Sequence, residues 1–153
     1  MNANEIILMC HVMFGVGCLL ASVWVFVEAL NVSETNQARL RKVSMAAAVS
    51  LWLAFLFGGY WYVNFYKVDK AVILKGPWPF AHNFFMETKE HLVILLLLLA
   101  TYLPIVAAGN LAASKNARRL TLWIAGLMVV LTLIMEGNGA MIAMGVKMGL
   151  LAR

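Results

Sequence analysis

The sequence predicts an all-α integral membrane protein, a four-helix bundle forming a single transmembrane domain over residues 1–153. Three observations carry this. Hydrophobic residues make up 63% of the chain and charged residues only 12%, about half the charged fraction of a soluble domain. Four stretches without Lys, Arg or Asp reach roughly the 20 residues that cross a bilayer: Ile6–Val27, Val43–Tyr66, Leu92–Ser114 and Leu120–Val146. None of them shows the polar stripe of a soluble amphipathic helix.

The first helix is expected over residues 5–30. Met1-Asn-Ala-Asn-Glu5 lacks a basic n-region, so the segment is expected to stay in the membrane rather than be cleaved. Cys10 and Cys18 lie on it about 12 Å apart, too far to bridge each other. The second helix is expected over 43–66, closed by Tyr60, Trp61, Tyr62 and Tyr66 as an interfacial aromatic belt. Gly76-Pro77-Trp78-Pro79 must turn, because two prolines so close cannot continue a helix. Asn83 is then the expected N-cap of a third helix over 84–113, which Pro104 should kink. The fourth helix is expected over 119–147, interrupted by Glu136.

Charge sets the orientation. Arg39, Arg41 and Lys42 follow the first span closely, and Lys115, Arg118 and Arg119 fill the third-to-fourth connection. Lys67, Lys70, Lys75, Lys89, Lys147 and Arg153 are spread over the opposite side. Short loops count most and the first helix usually dominates. Both termini and the Lys67–Glu90 loop are therefore expected on the same, outer side, with the two short basic loops in the cytoplasm. The net charge of +5 sits in these loops and helix ends without a basic, aromatic-interleaved patch, so it does not point to nucleic acid. A short echo links the halves. Asn36-Gln-Ala-Arg39-Leu40 and Asn116-Ala-Arg118-Arg119-Leu120 each introduce the second helix of a hairpin.

Chemistry concentrates in a few residues. His11, Gly15, Cys18 and Ser22 fall at helical spacing, a small-residue face that another helix or a flat macrocycle could approach. An intramembrane histidine is costly, so His11 reads either as a metal or haem ligand or as a hydrogen-bonded member of a packing seam. His91 follows Glu87 by one turn, so that carboxylate could orient the ring for ligation; both residues also suit an interfacial helix start. His82 is expected at the surface of an aqueous loop. Glu136 would lie in the outer half of the hydrocarbon at a depth like that of His11. There a carboxyl must be protonated or paired, which suits proton handling. Met141, Met144 and Met148 share a face that could hold soft Cu(I), or could simply be flexible packing. No CxxC, HExxH or phosphate-binding glycine loop is present.

A histidine early in helix one with glycines after it, together with a Lys/His start to helix three, resembles small bacterial four-helix membrane families. These are the J-type protoporphyrinogen oxidases, the copper-resistance D-type proteins and small membrane b-type cytochromes. The matching residues are His11, Gly15, Gly17, Lys89 and His91, on helices one and three only. The resemblance implies haem b and redox work in the bacterial inner membrane.

Two classes of function follow. In the first, His11 and His91 ligate one b-type haem, with Gly15 giving the porphyrin room, Glu87 orienting His91 and Glu136 handling protons. Such an oxidoreductase subunit would carry electrons between a quinone and a periplasmic redox partner, within a larger complex of membrane subunits and lipid. In the second, the chain is a cofactor-free accessory subunit of a respiratory or photosynthetic complex. Copper or other metal transport is a third reading.

Overall fold

The computed structural model describes residues 2–152 and contains four long helices. Helix α1 spans Ala3–Leu30, α2 Glu34–Lys75, α3 Glu87–Ala107 and α4 Lys115–Leu151, and a π-helical segment, Ala81–Met86, leads directly into α3. All four are long and apolar enough to cross a membrane, the π-helical segment counting with α3. Neighbours in the chain are neighbours in space, and α4 closes the ring against α1. Helices α2 and α4 also approach each other across the diagonal, whereas the backbones of α1 and α3 stay further apart.

Pairing registers show that adjacent helices run antiparallel. His11 reaches Ala54 on α2 while Glu28 reaches Arg39. Likewise Gly15 meets Glu136 on α4, and Ala29 meets Arg118. One end of the bundle thus holds the two short connections, and the other holds the start of α1, the end of α4 and the α2–α3 connection.

The helix limits differ from those expected, each for a local reason. α2 has 42 residues, about 63 Å at 1.5 Å per residue, well beyond a hydrocarbon layer of about 30 Å. It starts at a capping box, with Ser33 N–H donating to Asn36 Oδ1 at 2.8 Å, and runs unbroken to Gly76. Apolarity marked only the middle of it. The third helical stretch begins at Ala81 rather than at residue 84, so Asn83 lies inside it and not at its N-cap; the Pro79 carbonyl accepts from both the His82 and Asn83 amides at 3.1 Å. It passes Pro104 and stops at Ala107, not 113, after which Ala113 N–H bonds Asn110 Oδ1 at 3.0 Å in a turn. α4 starts at Lys115, where Ser114 Oγ caps the Ala117 amide at 3.3 Å, and continues to Leu151.

Two cores result. The larger joins Cys18, Val25 and Ala29 of α1 to Leu40, Ala47 and Leu51, Leu96 to Ala107, and Ile124 to Met128. A smaller one lies where α2 and α4 extend past α1 and α3, around Tyr66, Ile73, Ala81, Met86 and Ile142. There the backbones nearly touch. A Cβ on Gly149 would sit 2.7 Å from the Val72 carbonyl oxygen, so only glycine fits.

At the short-connection end, neither α1 nor α3 has a basic residue in its last turn. Each is capped by the other hairpin. Arg118 of α4 donates to the carbonyls of Ala29, at 2.9 Å, and Leu30. Arg41 of α2 donates to Ala107 and Gly109 at 3.3 Å, joined by Gln37 to Gly109 at 2.9 Å. A guanidinium there satisfies orphan carbonyls and opposes the negative end of the helix dipole.

Candidate functional site

The expected stripe on α1 faces inward: Gly15, Cys18, Ser22, Val25 and Ala29 are all buried. His11 sits one turn earlier, half-buried. Its Nδ1 lies 2.7 Å from the Ala54 carbonyl of α2. Because a carbonyl only accepts, the ring must carry its proton on Nδ1 and present Nε2 as the free base. The imidazole fits because α2 has Gly58 there; a Cβ at that position would collide with the ring.

Glu136 leaves α4 and lays its carboxyl against Gly15, in the space that a side chain on α1 would need. Lys89 enters from α3, with Nζ 3.3 Å from where a Cβ on Gly139 would be, one turn beyond Glu136. The ammonium thus stands beside the Glu136 turn of α4. It does not close onto the carboxylate: Arg39–Glu28 is the only ion pair within 4.0 Å among the described residues. Three helices therefore bring an imidazole, a carboxyl and an ammonium into one region, with glycines making the room.

Two polar atoms nearby lack partners. Thr132 Oγ1, one turn from Glu136, and Asn138 Nδ2 are buried without a hydrogen bond. Cys18 lies 3.9 Å from Ser22 Oγ and beside Thr132, with no proper bond to the threonine hydroxyl. Such atoms in a folded interior mark places for water or a ligand.

The other expected site residues lie elsewhere. His91 is exposed, on the face of α3 that carries Ile94, Leu98 and Ile105 outward. Its Nδ1 bonds the backbone carbonyl of Glu87 at 2.7 Å rather than the Glu87 carboxylate. The structure thus joins His11 to Glu136 and Lys89, not to His91. His82, expected at the surface, is 4% exposed and bonds the buried Tyr66 hydroxyl at 3.0 Å. The π-helical segment turns it under the end of α2. Tyr62 donates to Glu90 Oε1 at 2.6 Å across the same α2–α3 junction. Met141 and Met148 are half-buried and Met144 is exposed. Among the described residues no group of three His, Cys, Asp or Glu could hold a metal ion. A groove of about 650 Å³ between α2 and α3, lined by Trp52, Thr101 and Pro104, lies towards the short connections and away from the charged cluster.

Lys89 and Gly58 carry more of this site than the sequence reading gave them. Lys89 had a signal: Met86, Lys89, Val93, Leu96, Ala100, Leu103 and Ala107 recur every three or four residues, and that stripe faces inward. Gly58 had none beyond the Gly58-Gly59 pair. Compared with known proteins, the chain matches no family model, no curated protein and no solved structure.

Proposed function

We propose that the protein is a membrane-embedded subunit of a redox complex in which Glu136 takes up and releases protons. Lys89, which enters one turn along α4, sets its charge state. The observation that carries this reading is the carboxyl of Glu136 laid against Gly15 inside the bundle, with Lys89 Nζ entering at Gly139 one turn along α4 and the unpartnered Thr132 hydroxyl one turn the other way. An ammonium and a carboxyl are costly at membrane depth, and such groups mark ion or proton paths. In this reading the short basic connections face the cytoplasm of a bacterial cell and both termini face outward, because basic short loops stay inside. Quinone and an outer redox partner are the electron-carrying counterparts.

Glu136→Gln in reconstituted vesicles should keep the fold and lower proton-coupled turnover at least ten-fold, since general acid–base groups contribute about 10²–10⁴. Unchanged turnover and pH dependence would remove Glu136 from the mechanism.

A b-type haem on His11 and His91 is the second reading. One observation favours it: in both rings Nδ1 is tied to a backbone carbonyl, which leaves Nε2 as the ligating atom. Two observations weigh against a haem shared within one chain: His91 is exposed on the outer face of α3, and Glu136 occupies the space at Gly15 that the porphyrin would use. A reduced-minus-oxidised spectrum of the purified protein decides between a haem subunit and a cofactor-free one. A b-type signal lost in both His11→Ala and His91→Ala would establish the haem pair.

A further inference from the structure

The start of α4 carries an unexplained feature. Lys115, Arg118 and Arg119, with Leu122, line an open depression of about 530 Å³. No acidic side chain lines it, and Glu28, the carboxylate paired at this end, is held by Arg39 at 2.6 Å. The helix terminus does not account for it, since Ser114 already caps the Ala117 amide. Three cations are thus gathered without a counter-charge. Arg118 is also spread between the depression and the carbonyls that end α1.

What lies beneath sets the kind of ligand. One turn below Arg119, Trp123 is 72% exposed, and Leu127, Val130 and Ile134 continue outward down the same face of α4. A tryptophan between cations and an apolar ladder is the pattern of a headgroup boundary. At the opposite end of the bundle Lys67, Lys70 and Lys75 are interleaved with Asp69 on the same helix, so charge is not concentrated there.

We propose that this depression binds the phosphate of an anionic phospholipid, with an acyl chain lying along Trp123, Leu127, Val130 and Ile134. The proposal rests on the bundle spanning a membrane and not on the proton reading of Glu136. Lys115 and Arg119 are the free cations; Arg118 shares its guanidinium with the α1 carbonyls, so the site also pins the end of α1. Anionic leaflets attract basic groups near their surface, and basic recesses between helices select such headgroups.

The test uses the full chain in phosphatidylcholine nanodiscs containing about a third phosphatidylglycerol, with bound lipid counted by mass spectrometry after mild detergent release. Wild-type protein should retain phosphatidylglycerol preferentially. Lys115→Gln/Arg119→Gln should weaken that retention about thirty-fold, while Lys67→Gln/Lys147→Gln at the other end should not. Equal retention of the two lipids, or a preference that survives Lys115→Gln/Arg119→Gln, would overturn the site. Displacement of the lipid by millimolar inorganic phosphate would also overturn it, showing a free-anion site instead. Should the double variant fail to fold, the wild-type preference must still fall in high salt; a salt-insensitive preference refutes the proposal. Release of the protein from membranes by alkaline carbonate would separately show that the bundle does not span.

Discussion

The half of the bundle near the short connections and the half beyond Gly15 are filled differently. In the first, Val25, Ala29, Leu40, Ala47, Leu103 and Ile124 pack closely. The hydroxyls there bond back to their own helices, Ser44 to Arg41 at 2.8 Å and Thr121 to Ala117 at 3.0 Å. Its open helix ends are answered by arginines from the other hairpin. From the Gly15–Glu136 contact outward, Glu136, Lys89 and His11 converge and Asn138 Nδ2 stays unpartnered, while Thr132 Oγ1, beside Cys18, is unpartnered just on the near side of that contact. The costly polar groups gather around that contact and not at the short connections. Unmet polar groups are the pattern expected where a site must keep costly residues.

The largest effect should come from breaking the satisfied half. Arg118→Ala leaves two carbonyls of α1 without their charged donor, at about 1.5–3 kcal/mol for each such bond. A thermal melt in detergent should show a loss of about 3 kcal/mol, and a loss under 1 kcal/mol would mean that water replaces the guanidinium. Next comes Gly15→Val, which forces the Glu136 carboxyl out of its place and should cost about 2 kcal/mol through overpacking. That penalty should shrink in a Glu136→Ala background, where the space is empty; an equal penalty in both would deny the contact. The smallest effect reverses sign. Thr132→Val removes a hydroxyl that has no partner and should leave stability unchanged or raise it by about 1 kcal/mol. A clear loss instead would reveal a bound water or ligand at that hydroxyl.

Four spanning-length helices were legible because apolar runs of that length have few other solutions. The full lengths of α2 and α4 beyond their apolar runs were not, since hydropathy reports the solvent a segment prefers and not where its hydrogen bonding stops. At the site, periodicity told more than residue type. The α1 stripe of Gly15, Cys18 and Ser22 is buried, whereas Glu136 was read for its depth alone and its contact with Gly15 was not legible. His91 is off the register that buries Leu96, Ala100 and Leu103, so its exposure was available from spacing alone. Lys89 is on that register, yet a lysine among Glu87 and Glu90 reads as a solvated helix start. The approach of His11 to the Ala54 carbonyl depends on Gly58, a long-range fit that no local pattern encodes.

The exchanged arginines bear on how the chain is made. When α1 and α2 leave the ribosome, the carbonyls of Ala29 and Leu30 have no basic group of their own helix to meet. Their partner, Arg118, is synthesised some ninety positions later. The donor for the last turn of α3, Arg41, is by contrast already made when that turn emerges. Until α4 arrives, the first hairpin lacks the charged donor for the Ala29 and Leu30 carbonyls. Chains stopped before Arg118 should be short-lived, and the second hairpin should act as the latch that completes the first.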